Sequence, residues 1–398
     1  MSSRLRVQVV VHAGSRLASG LLSFYLFGLI SRLYPPELVK HIYFFLFVFG
    51  FAAAALRTLG NVSAGLDPNR TRTQNLRRLQ TAMGEVVIAC VFVVPFAVWL
   101  LAEHVQTMWL LVAAAVTLSL SAVDVDMLRG LLRRDARFSV AFALGSGLAV
   151  CLLLWQGHHS LELAVAALLL QWLPVCFSNL GLMVRMLRKS IDRALGRLRK
   201  DFSILVVLTI VALFDGLVLN LPFFLGSRIS LDTSLQIAVV IRLFSASLVL
   251  FPLVLHWSNS DYLRKLAARL SVRPPTAYLL LQLLAAALFG SAFAAAFYLV
   301  AQRPVTLGQM LAFYVLASSY CAYATLARFS ASRQSTPRLA WALAGTATVL
   351  WGVVVLLLKW SALSSLSLVA LQALTLVLGS LLIRRFTSRP SSPARRGL

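Results

Sequence analysis

An all-α polytopic membrane protein of about twelve transmembrane helices is expected from three properties of this 398-residue chain. Hydrophobic residues make up 60% of it and charged residues 13%, against roughly half and a quarter in soluble domains, and the mean hydropathy is +0.84. Apolar runs near the ~20 residues that span a bilayer recur along the whole length. The 37 Lys and Arg, set against 13 Asp and Glu, collect in alternate connecting segments, as in multi-pass chains. A net charge of +24 raises the question of nucleic acid. Its scatter over short cytoplasmic segments with no folded basic domain excludes a nucleic-acid partner.

The elements follow in order. Span 1 (8–33) stops at Tyr34-Pro35-Pro36, and span 2 (38–59) is almost uniformly apolar from Ile42 to Leu56, which suits a lipid-facing position. After a basic segment, span 3 (82–102) turns through Glu103–Thr107 into span 4 (108–128). Spans 5 (138–155) and 6 (161–184) are joined by Gln156–Ser160. Spans 7 (203–225), 8 (234–257), 9 (276–300), 10 (307–327), 11 (340–358) and 12 (363–383) continue the alternation, with Ala301–Thr306 another short turn. The most charged internal stretch, Arg185–Lys200, parts six spans from six. The organisation is therefore an N-terminal six-helix bundle (1–184), a basic cytoplasmic linker (185–202), a C-terminal six-helix bundle (203–383) and a basic cytoplasmic tail (384–398). An alternative role for the linker is to hold anionic lipid headgroups.

With this assignment 30 of the 37 basic residues, Arg57 at the end of span 2 among them, fall on the side of the termini and 5, Arg32 and Lys40 at span ends among them, on the other, while Arg16 and Arg242 lie deeper within spans. The positive-inside rule then puts both termini in the cytoplasm of a plasma membrane. The first apolar segment is long, runs directly into a second and lacks a small-residue cleavage site, so it reads as a span and not as a signal peptide. Cys90, Cys151, Cys176 and Cys321 all lie in spans and read as small core residues rather than disulfide partners or metal ligands. Asn61 and Asn69 head glycosylation sequons in a cytoplasmic segment, which makes both chance matches.

A charge at bilayer depth costs ~3 kcal/mol, which makes intramembrane charges candidates for function. Asp215 and Arg242 lie ~15 and ~12 Å from the outer ends of consecutive antiparallel spans at 1.5 Å per residue. They form either a structural ion pair or a cavity pair that opens to meet an anion. Asn220 and Pro222 follow, and the proline frees a backbone carbonyl in span 7. In span 1, His12, Arg16, Ser19 and Ser23 are spaced i, i+4, i+7 and i+11, one narrow helix face. Either that face is wet or Arg16 snorkels to the interface. Thr117, Ser121 and Asp124 in span 4, Gln171 and Ser178 in span 6, and Tyr314, Ser318, Cys321 and Thr325 in span 10 form similar stripes. Packing between helices also uses such residues; convergence of the stripes would make a hydrated cavity. Glu85 and Asp126 read as interfacial.

No HExxH, GxSxG, P-loop or carboxylate cluster is present, so the chain reads as a transporter and not an enzyme, with no cofactor. Lacking a nucleotide site, it would draw on an H⁺ or Na⁺ gradient or on the fate of its substrate. Short outer loops argue against a glycan polymerase or ligase.

Two segments carry a family resemblance. Ser31-Arg32-Leu33-Tyr34-Pro35-Pro36-Glu37, followed by an aromatic-rich helix closing on Arg57-Thr58-Leu59-Gly60-Asn61, resembles the start of polysaccharide (O-antigen) flippases. These belong to the multidrug/oligosaccharidyl-lipid/polysaccharide exporter superfamily. Asp215, Leu225-Gly226, the stretch from Ala238 to Arg242-Leu243, and Pro252 match the pattern of spans 7 and 8. Leu38-Val39-Lys40-His41-Ile42 stands where that family has Tyr-Gly, and 398 residues are too few for the fourteen-helix lipid II flippases of the superfamily.

The resemblance implies a MATE/MOP-like pair of six-helix bundles about a central cationic cavity, rocking between inward and outward states. It further implies an undecaprenyl-pyrophosphate-linked oligosaccharide as substrate, flipped across a bacterial plasma membrane, with membrane lipids and the polysaccharide polymerase and chain-length machinery as partners. Arg16 and Arg242 would be successive headgroup contacts, since a guanidinium chelates a pyrophosphate bidentately. A cation-coupled small-molecule or drug antiporter of the same superfamily is the competing expectation, and it wants more cavity acids than Asp215 alone.

Overall fold

The computed structural model describes residues 3–64, 72–122, 135–155, 160–177, 190–199, 304–326, 337–359 and 365–387, with helical residues scattered singly or in pairs between 180 and 298. Among the described residues the regular structure is entirely helical. The helices are α1 (Ser3–Leu33), α2 (Pro36–Ala64), α3 (Arg72–Ala102), α4 (Met108–Ala122), α5 (Asp135–Trp155), α6 (Leu161–Leu170), α7 (Leu307–Leu326), α8 (Pro337–Lys359) and α9 (Ser365–Thr387).

Several helices overrun the apolar windows. The first begins at Ser3 and the third at Arg72, well before the apolar starts at 8 and 82. Hydropathy marks the part in lipid, whereas backbone hydrogen bonding continues into water through Arg72, Arg77 and Arg78. At the α1–α2 turn the Tyr34 amide donates to Ile30 O (3.1 Å) and the Val39 amide to Pro35 O (3.1 Å). Pro36 opens α2 where its missing N–H costs nothing, with Glu37 in the first turn. Tyr34 is buried in this turn, and burial pushes its phenol up to about 12.

Span 6 is not one helix. Ser160 caps α6, its Oγ accepting from the Leu163 amide at 3.2 Å. The helix then breaks at Gln171–Trp172, where the Trp172 amide reaches back only to Leu169 O (3.0 Å), and resumes over 173–177. Pro174 accounts for the break, because it has no N–H for Leu170 O and its ring crowds that carbonyl.

Packing orders the helices differently from the chain. The first helix lies along α5 and barely meets α2, whereas α2 packs on α3, and α6 sits against α2, α4 and α5. Leu26, Ile42, Val86, Leu110, Leu153 and Val165, one from each of α1 to α6, share a core with Leu350 and Val354 of α8. In the C-terminal half α9 packs against both α7 and α8.

The second helix corrects an expectation. Its uniform apolarity suggested lipid, yet Val39, Ile42, Tyr43, Phe45, Leu46, Val48, Phe49, Ala52, Ala53 and Leu56 are all buried. A helix apolar on every side is equally suited to a protein interior. The lipid-type surface belongs to α3, with Val91, Phe92, Phe96 and Trp99 exposed. Exposed Trp99, Trp109 and Trp155 mark one end of α3, α4 and α5, while Arg72, Arg77, Arg78 and Arg137 mark the opposite ends of α3 and α5. That distribution matches an aromatic belt and a basic face.

Candidate functional site

Helix α1 runs unbroken, so at ~100° per residue the positions of His12, Arg16, Ser19 and Ser23 share an arc of ~60°. Ser19 and Ser23 are buried, as are Leu26 and Ile30 further along the same arc. Val11, Leu21 and Tyr25, on the opposite side of the helix, are exposed. Ser19 and Ser23 therefore face protein while Leu21 and Tyr25 face outward, the reverse of a soluble helix. Ser23 Oγ is enclosed with no hydrogen-bond partner among the described residues.

Opposite α1 stands α5, with Leu22 Cδ1 lying 4.0 Å from where a Cβ on Gly147 would sit. Two residues earlier and on the other side of the helix, Gly145 leaves no room for a side chain, because a Cβ there would fall on the backbone carbonyl of Gln171. The Gln171 side chain is buried and its Nε2 is without a hydrogen-bond partner among the described residues. Ser23, Gly145, Gly147 and Gln171 thus mark one level through α1, α5 and the break in α6. The break also directs Trp172 between two helices: the Phe142 ring of α5 meets it edge-on at 4.8 Å, and the Arg57 guanidinium of α2 lies 4.3 Å from its ring centre. Such a cation–π contact in a dry setting is worth ~1–2 kcal/mol.

The stripe on α4 faces inward as well. Thr117 and Ser121 are buried, while Met108, Trp109, Val112 and Val116 on the other side are exposed. Cys176 Sγ donates to Thr117 O at 3.8 Å, tying the helical stretch after the break to α4. Asn220 is buried against α2, its side-chain oxygen filling the place a Cβ on Gly50 would take.

Not every expected residue joins this interior. Ser318 is half-buried on the side of α7 that carries the exposed Leu307, Leu311 and Val315, and Tyr314 Oη bonds Ser291 Oγ at 3.1 Å. Asp124, Asp215, Arg242 and Ser178 lie outside the described residues. The positions of His12 and Arg16 are fixed on α1, and nothing further is described of their side chains.

Two charged groups were read differently from the chain alone. Arg57 was counted with the cytoplasmic segment, yet it stacks on Trp172 inside the bundle. Glu85, read as interfacial, is wholly buried and pairs with Arg197 at 3.1 Å. Arg197 belongs to the helical stretch 190–199, which also joins Arg193 to Gln80 and seats the Ser190 carbonyl against Gly84. A carboxylate on an otherwise apolar stretch of α3 was the available signal; its partner, 112 residues away, was not.

No protein-family model matches the sequence, and no curated protein sequence is significantly similar to it. Among solved structures, the eukaryotic MATE transporter AtDTX14 superposes with a TM-score of 0.58 at 15% identity, covering 98% of this chain and 96% of that one. A multidrug resistance MATE family transporter of the MOP superfamily, in its inward-facing conformation, aligns over 94% of this chain and 98% of its own at 14% identity. Its TM-score of 0.39 is below the level of a shared fold. The inward polar faces, the outward apolar belts and the first of these superpositions lead to one conclusion: the chain has the fold of the MATE transporter AtDTX14.

Proposed function

We propose that this protein is a transporter that flips a polyprenyl-pyrophosphate-linked oligosaccharide across the bacterial plasma membrane for surface polysaccharide synthesis, with both termini cytoplasmic. The observation that carries the reading is the buried arc of α1, which puts the Arg16 position on the same face as Ser19 and Ser23, opposite the exposed Leu21 and Tyr25. A guanidinium on that face suits a diphosphate, hydroxyls and amides suit the sugars, and the polyprenyl chain remains in lipid. Arg242 would receive the headgroup in the outer half, oriented by Asp215. His12, Ser19, Ser23, Asp124, Gln171, Asn220 and Ser318 would line the route, and an H⁺ or Na⁺ gradient would drive it. Polysaccharide polymerase and chain-length proteins would be its partners.

The competing reading, a cation-coupled drug antiporter, draws on the likeness to a MATE transporter. Cells separate the two. Arg16→Ala and Arg242→Ala, each at normal protein abundance, should abolish surface glycan, while Arg16→Lys, which keeps charge and loses bidentate geometry, should retain part of it. Wild-type glycan export in both alanine variants, or drug resistance that depends on the protein in cells without glycan export, would reverse the assignment.

A further inference from the structure

At the tryptophan end of α3, two imidazoles meet. His41, in the second turn of α2, and His104, in the α3–α4 turn, approach with Nδ1 to Nδ1 at 3.0 Å. Their ring centres are 4.9 Å apart with planes inclined at 51°. Both are partly buried, and both are held. The helix fixes His41, while His104 is set by its own amide donating to Leu101 O (3.0 Å) and that of Val105 donating to the same oxygen (2.8 Å). The Phe44 ring meets the His104 ring edge-on at 4.3 Å. Two rings presenting the same nitrogen to one point can share a proton there, one donating and one accepting. They can equally present two lone pairs to a cation.

We propose that His41 and His104 form a binding site for a borderline divalent transition cation, of the class of Cu²⁺, Zn²⁺ or Ni²⁺, which clips the start of α2 to the α3–α4 turn. Two imidazoles on one such ion at ~2.0–2.1 Å stand ~2.9 Å apart at right angles and ~3.3 Å apart at the tetrahedral angle, and the observed separation lies between these. Nitrogen-only donors select this class over Mg²⁺ and Ca²⁺, which require oxygens. Binding needs no net proton loss from the neutral pair: the ring carrying its proton on Nδ1 moves it to Nε2 and gives up the lone pair.

Charged groups at this end include Arg32 in the last turn of α1, Glu37 and Lys40 on α2, Glu103 beside His104 and Glu162 in the first turn of α6. Lys40 Nζ is bridged to Glu37 at 3.1 Å, which offsets the one cation next to His41. No third His, Cys, Asp or Glu completes a cluster among the described residues, so water fills the remaining positions.

The test uses the full chain in detergent without a polyhistidine tag, with Cu²⁺ as probe. At pH 7.5 the electron paramagnetic resonance spectrum should show one bound copper with hyperfine structure from two nitrogens. His104→Gln and His41→Gln should each weaken binding at least ~10-fold, and a variant altered at both His158 and His159 should bind as the wild type does. Zn²⁺ should raise the melting temperature of the wild type and not of His104→Gln, a readout independent of transport. Copper without nitrogen coupling, equal binding by His104→Gln, or loss of binding in the His158/His159 variant each overturns the site. A pair that titrates with pH while ignoring both metals is a hydrogen bond only and also overturns it.

Discussion

Two helices carry nearly the same polar spacing and turn it to opposite sides. On α1, Ser19 and Ser23 are buried and the exposed residues lie across the helix; on α7, Tyr314 and Ser318 are half-buried beside exposed Leu307, Leu311 and Val315. Spacing identifies a face, and neighbours decide where it points. The first stripe is covered because α5 lies along α1, with Gly147 on the side of Leu22, while Gly145 seats the Gln171 carbonyl of the break in α6. In the C-terminal half, α7 meets α9 through its other side, where Leu316 and Ser319 are buried. The contrast teaches that a polar stripe is buried where a neighbouring helix lies along it, whatever its own spacing.

That comparison breaks first at Gly145. Gly145→Val sets methyl groups on the Gln171 carbonyl and should cost ~3 kcal/mol or prevent folding, read as lost monodisperse protein by fluorescence-detected size exclusion. Gly308→Val on α7, where a Cβ meets nothing within 4 Å, should leave abundance normal; equal damage from both would end the distinction between the two helices. Next in size, Glu85→Gln leaves Arg197 without its carboxylate. Arg197 keeps some access to water, so a loss of ~1–2 kcal/mol is expected, between the values for buried and surface pairs. The melting temperature should fall by a few degrees, and that of the wild type should change little with salt.

Ser23→Ala separates stability from transport. Removing a buried hydroxyl that bonds nothing described should leave stability unchanged or raise it by up to ~1 kcal/mol, while glycan export falls if the hydroxyl serves the route. A destabilised protein with full export would make Ser23 a packing residue. The smallest effect belongs to Tyr314→Phe, which removes only an exposed bond to Ser291. It should cost no more than ~0.5 kcal/mol, and a large loss of export there would move the route toward α7.

Much of this was legible in the chain. Apolar windows located the described helices, and the spacing of Ser19 and Ser23 marked the buried side of α1. Pro174 was in plain view and dictates the break that places Gln171 and Trp172, although its span reads as continuous by hydropathy alone. What hydropathy does not encode is the second body against which an apolar surface is buried. For that reason α2 looked like a lipid-facing helix, and Arg57, counted by its distance from an apolar window, belonged instead beside Trp172. Glu85 with Arg197 and His41 with His104 are pairs across 112 and 63 residues, and no local pattern announces either.

The pairing of α1 with α5 also has a consequence in time. The two are separated by about 100 residues, which a ribosome adding ~5–20 residues per second takes ~5–20 s to make. For that interval α1 lacks its principal neighbour among the described helices and touches α2 only slightly, with Ser19 and Ser23 in place and no partner helix to cover them. Whatever shelters that arc during synthesis, whether the insertion machinery or the membrane surface, acts before the protein can transport anything, and weakening α5 should leave the nascent chain waiting for degradation at this step.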